Sequence, residues 1–200
     1  MQKNLGASIY NFFFALSASI VGAIVFSWPL LFIFVTVQKT YQIVNMSVLK
    51  VMHNYNQLML YLLWPFKNKL QMDNFPTSKS AAEHFADVKR LLILAVLVFI
   101  ICLVIYIIAK KRNEEGLLKI SKIEAWIFLL LPIIILPFAI VNFDSFFIFF
   151  HHLFFASSNW LFDPNTDPII DVLTEEFFAS CFGVFGIIYE LYFISKIVHK

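Results

Sequence analysis

Two stretches of this 200-residue chain set histidine beside carboxylates in strongly apolar surroundings. One runs from Glu83 through His84 and Phe85 to Asp87; the other places Asp144, His151 and His152 among phenylalanines. An imidazole takes and returns a proton near neutral pH, and an ionisable group at membrane depth is a functional candidate by default. The alternative for His84 and His151 alike is a structural hydrogen bond at an interface. His84 and Asp87, three residues apart on a helix, share a face. Asp144 either caps a turn or orients a histidine. His152 adjoins His151, so one of the two can face headgroups or packing. A zinc site from His84, His151, His152 and an aspartate is conceivable, but no His-Glu-x-x-His run or close Cys/His spacing supports it, and no metal is expected. There is no serine nucleophile elbow, and the five glycines are too scattered for a phosphate loop. If the chain is an enzyme, histidine is its proton-transfer group. His53 and His199 read as solvated surface residues, Asp163 before Pro164 as a turn initiator, and Glu190 as structural.

What must position these groups is a chain made for lipid. Hydrophobic residues make up 60% and charged residues 14%, against about 45–50% and about 25% in soluble domains. Phe alone accounts for 25 residues, and the mean hydropathy is +0.81. A net charge of +2 gives no electrostatic case for nucleic acid. Lys, Ile, Phe and Asn are frequent while Arg occurs twice, a bias that suggests an AT-rich bacterial genome.

Apolar runs of about 20 residues signal spanning helices, and the sequence predicts four, over 9–37, 91–109, 125–141 and 177–198. The first is too long for the about 7–15 apolar residues of a cleaved signal peptide; it reads as a retained, tilted helix with a kink at Pro29. Pro132 and Pro137 are expected to bend the third. Cys102 and Cys181 fall in apolar runs at different expected depths, beyond the roughly 7 Å a disulfide tolerates, and read as small core residues.

The loop over 110–124 carries Lys110, Lys111, Arg112, Lys119 and Lys122, whereas the loop between the third and fourth runs has no Lys or Arg. The positive-inside rule then puts the basic loop and both termini in the cytoplasm; Lys3, Lys196 and Lys200 agree. The segment over 38–90 and the segment over 142–176 face outward. The first of these carries Lys39, Lys50, Lys67, Lys69, Lys79, Lys89 and Arg90, but at about 50 residues its charges count less.

Within 38–90, Tyr41, Val44, Val48, Val51, Tyr55, Leu58 and Leu62 recur at helical spacing, predicting one amphipathic helix at the membrane surface that ends at Trp64 and Pro65. Ser80 and Glu83 have the spacing of a capping box, so a helix is expected to start near Ser80 and carry His84 in its first turns. In the second outer segment seven Phe lie between Phe143 and Phe155; a re-entrant or interfacial piece explains that better than a hydrated loop. A turn-rich stretch from Trp160 to Pro168 follows, and Thr174 with Glu175 and Glu176 is a helix start. The expected fold is an all-α membrane protein, one domain over 1–200: a four-transmembrane-helix bundle with an extracytoplasmic amphipathic helix and loop cap.

At these outer segments the sequence resembles the bacterial lipoprotein intramolecular transacylases, a four-span membrane family. The resemblance rests on NYNQLMLYL (Asn54 to Leu62), EHFADVK (Glu83 to Lys89) and NFDSFFIFFHHLFF with NWLFDPNTDPIID (Asn142 to Asp171), and covers nearly the whole chain. Two positions depart from the family pattern: Phe85 replaces a Met, and Leu173 with Thr174 replaces a Phe-Pro pair. The resemblance implies an enzyme that moves the acyl chain from the glyceryl sn-2 oxygen of a diacylated lipoprotein to its N-terminal cysteine α-amine. It also implies a lyso-form product, no cofactor, diacylated lipoprotein and membrane lipid as partners, and His84 and His151 as the catalytic pair. A non-enzymatic membrane protein, such as a transporter subunit or a membrane partner, is the alternative; no span carries paired central charges and no inverted repeat is visible.

That reaction is aminolysis of an ester within one molecule, so the substrate itself supplies most of the proximity. An α-amine with a pKa of about 8 is already partly neutral at pH 7, which makes expulsion of the glyceryl alkoxide the harder step. A histidine that takes the nitrogen's proton and returns one to the leaving oxygen serves both. His151 is favoured as shuttle, with His84 as its partner and Asp87 or Asp144 fixing a tautomer. Asn54, Tyr55, Asn142 and Asn159 are candidate donors to the oxyanion.

Overall fold

The computed structural model describes residues 5–198, with every side chain among them except those of 135, 136 and 140; Lys3, His199 and Lys200 lie outside the described residues. Seven α-helices follow in order: α1 (Leu5–Val37), α2 (Thr40–Ile43), α3 (Val48–Leu63), α4 (Lys79–Lys111), α5 (Lys122–Val141), α6 (Phe143–Phe154) and α7 (Glu175–Val198). Short 3-10 turns occupy Glu115–Leu118 and Pro168–Asp171, and the described residues contain no strand.

Four helices (α1, α4, α5 and α7) are long and apolar enough to cross a membrane. Their side chains reverse the soluble pattern: Ile101 is 57% and Ile134 77% exposed, and only 11% of the most apolar stretch of α4 is buried within the protein. Surface of that kind needs hydrocarbon around it. At 33 residues and about 1.5 Å rise per residue, α4 far exceeds the about 30 Å of a bilayer core. Its apolar run over 91–109 suffices to span, which leaves the turns around His84 in excess.

Each site-bearing helix opens on a side-chain cap. Ser47 accepts from the Lys50 N–H at 3.3 Å to start α3, and Asn142 accepts from the Ser145 N–H at 2.9 Å to start α6. Thr174 stands at the start of α7, with the Phe177 N–H 3.4 Å from its hydroxyl. For α4 the expectation is corrected: the cap is Ser78, whose Oγ accepts from the Ala81 N–H at 3.1 Å, and not Ser80. Asp167 takes the Ser78 N–H at 2.6 Å and so anchors the chain two residues earlier than Ser80. The single helix expected from Tyr41 to Leu62 is also divided. Asn45 adopts a left-handed φ of 51°, a conformation that Asn tolerates, and Ser47 starts a new helix.

The chain forms two compact units. The first takes α1 as far as Val25, Leu94–Val141 and α7 from Phe182 onward. Its core is Ala15, Ala125, Leu129, Tyr189 and Phe193, with Phe128 against both Phe12 and Phe193. Fully buried Asn11 is its polar node: its amide donates to the Ala7 and Leu118 carbonyls at 2.7 and 2.8 Å, and its oxygen accepts from the Tyr192 hydroxyl at 2.6 Å. Ser121 and Glu124 close a capping box at the start of α5, and Glu124 also accepts from Ser8 at 2.8 Å.

The second unit comprises Phe26–Ile93 and Asn142–Cys181 and holds both histidine stretches. One face of α3, with Val51, Leu58 and Leu62, is buried. The loop after α3 is folded back over it: Asn54 exchanges hydrogen bonds with Asn74 at 2.8 and 3.1 Å, and the Asp73 N–H donates to Gln57 at 2.9 Å. The Lys89 ammonium donates to the Lys67 carbonyl at 2.5 Å and lies 4.5 Å over the Tyr61 ring, tying the same loop to α4.

The Asn11 node generates a stability prediction. Asn11→Ala deprives the Leu118 carbonyl and the Tyr192 hydroxyl of their partner, and polar bonds between membrane helices contribute about 0.6–1.7 kcal/mol. The variant is expected to unfold at a lower temperature than the parent in detergent micelles, and an unchanged midpoint would show that the node contributes nothing.

Candidate active site

His84 lies in the second turn of α4 and His151 in the last turn of α6, and both are 6% exposed. Their ring centroids are 5.6 Å apart. Spacing along the chain does not reveal this meeting; it follows from the packing of α6 and the start of α4 within one unit. His152 is exposed, with its ring edge-on to Trp160 at 5.8 Å.

Aromatic rings enclose the pair. Phe155, itself buried, stands 4.7 Å from His84 and 5.5 Å from His151. Phe162 packs edge-on to His84 at 5.6 Å. Phe147 and Trp160 lie against His151 at 4.1 and 4.6 Å. Such walls strengthen electrostatic interactions inside them and offer apolar surface of the kind that retains acyl chains.

The tautomer of His151 follows from its partner. Its Nδ1 is 2.7 Å from the Phe147 carbonyl, which can only accept, so Nδ1 carries the hydrogen. In the neutral ring the lone pair is then on Nε2, where a proton can be taken. Burial holds the His151 imidazole below its ordinary pKa and the neighbouring His152 acts in the same direction, while the Phe147 bond opposes them. A second buried imidazole 5.6 Å away disfavours a charge on both rings, so the pair suits one proton rather than two.

The other sequence-predicted residues divide. Asn159 interacts with the His84 ring and is drawn into the cluster. Asp87 is electrostatically felt at His84, but its carboxylate is bonded to Arg90 at 2.6 Å. Asp144 lines a small cavity of about 170 Å³ with Glu175 and Phe178, on which Phe147 also borders. Asn54 spends its amide on Lys50 and Asn74. The Tyr55 hydroxyl donates to Ser27 at 2.7 Å, and burial pushes its phenol well above the ordinary value. Asn142 is the cap of α6. Asn54, Tyr55 and Asn142 are therefore committed to bonds that hold the scaffold. His53 is exposed and pairs with Asp73 at 3.0 Å, and Asp163 accepts from the Asn165 N–H in its turn. Both cysteines are free thiols. Among the described residues no group of three or more His, Cys, Asp or Glu side chains is placed to hold a metal.

Sequence reasoning missed Trp160 and Asp167. Asp167 is 2% exposed and accepts from the Ser78 N–H and the Thr166 hydroxyl, so it fastens the turn after α6 to the start of the His84 helix. The only signal for it was the repeated Asp-Pro of DPNTDP, which reads as a turn and not as a clamp.

The family model for lipoprotein intramolecular transacylase Lit matches residues 5–178. The chain belongs to that family. The solved structure of the membrane integral lipoprotein intramolecular transacylase Lit from Bacillus cereus is similar over 96% of this chain and 90% of that one, with a TM-score of 0.83 and 24% identity. Two variants of the Bacillus cereus protein, with one histidine replaced by arginine or by alanine, match over 96% of this chain and 88% of theirs at 22% identity, with TM-scores of 0.73 and 0.74. None of the curated proteins matches. The fold is thus that of Lit. This member of the transacylase family accommodates its two departures locally. Phe85 is buried and packs on Phe162 at 5.3 Å. Thr174, in place of a proline, stands at the start of α7 and donates to Gln38 at 3.0 Å.

The depressed His151 value has a consequence for stability. Unfolded, the ring titrates near about 6.5; folded, it titrates lower, so the unfolded chain binds more protons once pH falls below that value. The contribution of His151 to stability is complete above it and is lost as pH falls. The melting temperature of the parent is expected to fall more steeply between pH 7.5 and 5 than that of His151→Asn, and parallel slopes would contradict the buried neutral ring.

Proposed function

We propose that the chain moves the sn-2 acyl group of a diacylglyceryl-modified lipoprotein onto the α-amine of its N-terminal cysteine, at the outer leaflet of a bacterial membrane, with His151 as proton shuttle and His84 as its partner. The observation that carries this reading is the pair of buried imidazoles 5.6 Å apart, one of them with Nδ1 bonded to a backbone carbonyl. Membership of the transacylase family supplies the reaction class.

In the proposed sequence the amine nitrogen attacks the ester carbonyl carbon and a C–N bond forms. His151 Nε2 takes the nitrogen's proton. The tetrahedral intermediate then collapses, the bond to the glyceryl oxygen breaks, and that oxygen receives the proton. His84 lies where it can share the proton or steady the cationic ring. The step is redox-neutral and balances with no further reactant. Such general acid–base catalysis contributes about 10²–10⁴-fold, and intramolecularity supplies the entropic term. The aromatic walls suit acyl chains, whose burial is favourable by about 0.8 kcal/mol per CH₂. The basic loop over 110–124 favours both termini in the cytoplasm.

Incubation of a diacylated lipopeptide with the purified protein is expected to leave its mass unchanged while fragmentation shows one O-linked acyl group become N-linked. His151→Asn is expected to abolish the shift while eluting and melting as a folded protein. Because burial lowers the His151 value, the shuttle stays neutral somewhat below the usual imidazole range, and activity is expected to fail on the acid side below about 6.5, not at it. Full activity of His151→Asn would remove that residue from the mechanism.

A further inference from the structure

The aromatic cluster around the histidine pair contains polar atoms that the protein leaves unmet. The indole Nε1 of Trp160, the Oδ1 of Asn159 and the Nδ1 of His84 are buried and make no well-formed hydrogen bond within the protein, although the Asn159 side chain interacts with the His84 ring. A buried donor left unpaired is costly and uncommon in folded proteins. Thr40 Oγ1 and Glu190 Oε1 are likewise without a partner and lie apart, but the other three unmet atoms fall on adjacent residues of one loop and on the facing histidine. The Trp160 ring stands 4.6 Å from that of His151 at an interplanar angle of 31°, so the indole lies directly against the proposed shuttle.

The chemistry of the unmet atoms is selective. An indole N–H can only donate, so its missing partner is an acceptor. The carbonyl oxygen of a reacting ester is one. Of the donors that sequence reasoning offered for the oxyanion, Asn54 and Tyr55 are occupied and Asn142 is exposed at the start of α6, whereas the indole is a buried, unpartnered neutral donor whose ring lies against His151.

Resting on the acyl-shift reading above, we propose that Trp160 is a catalytic residue whose indole N–H donates to the ester carbonyl oxygen as that oxygen becomes the tetrahedral oxyanion. As the C–N bond forms, the carbonyl electron pair moves onto this oxygen and meets the indole hydrogen. When the bond to the glyceryl oxygen breaks, the pair returns and the carbonyl of the new amide is released. The bond tightens in the transition state, so its loss falls on kcat.

Trp160→Phe keeps an aromatic ring against His151 and removes only the donor. With a diacylated lipopeptide, this variant is expected to lose about 10²–10³-fold in kcat, with KM and the pH profile of the shuttle little changed. Replacement of Trp160 by benzothienylalanine, which has sulfur in place of N–H at nearly the same shape, is expected to lose as much; it decides the matter if Trp160→Phe misfolds. Activity of either folded variant close to the parent's would overturn the proposal and assign Trp160 to packing. If the parent itself leaves every acyl group O-linked, the acyl-shift reading fails and this inference with it; a parent that forms amide alongside an equally active variant sinks the donor alone.

Discussion

Hydrocarbon offers no hydrogen bond, and most of this structure follows from that. A helix end in water can leave its first N–H groups to solvent; at a membrane they need partners from the chain. Hence Ser47, Ser78, Asn142 and Thr174 stand at the starts of α3, α4, α6 and α7, and Ser121 with Glu124 serves α5. The same constraint explains why buried Asn11 engages three partners at once. The unmet polar atoms beside the two histidines are where the proposed acyl shift seats its reacting ester.

The histidine site depends on two fastenings. One is the bond from His151 Nδ1 to the Phe147 carbonyl, which selects a tautomer from within a single helix and leaves Nε2 basic. The other is Asp167, which reaches the N–H of the residue that caps the His84 helix. A carboxylate that accepts a backbone N–H forms a charge-assisted bond, stronger than a neutral one. Neither fastening touches the face where the rings approach, so the geometry is held from behind while the front stays available for chemistry. Phe155 packs against both rings and shields that side of the pair from water.

Legibility in the sequence followed the range of the interaction. The four long helices were plain because a run of apolar residues is a local property, and the start of α7 at Thr174 was plain because a cap acts within one turn. The start of α4 near Ser80 was legible, but its cap was misread by two residues: Ser80 and Glu83 have the right spacing, yet a contact from Asp167, 89 residues away in sequence, holds Ser78, which is the cap. The break at Asn45 escaped the periodicity because apolar spacing continues across it while the backbone turns left-handed. Asn54, Tyr55 and Asn142 were sensible oxyanion donors by type, yet Asn54 and Tyr55 spend their donors on scaffold bonds and Asn142 caps α6. Trp160 drew notice only as part of a turn, since nothing local distinguishes an indole with a partner from one without.

By itself the sequence determined the solvent, the number of long apolar helices, the two histidines worth attention and, through its motifs, the family. These rest on composition, short-range spacing and runs of residue types, which need no knowledge of what folds against what. Only the tertiary structure decided that His84 and His151 meet, that His152 does not, which ring nitrogen is protonated and which polar atoms remain unspent. Those depend on contacts between residues tens of positions apart, where a side chain's chemistry is set less by its identity than by whether a neighbour has already taken its hydrogen bond.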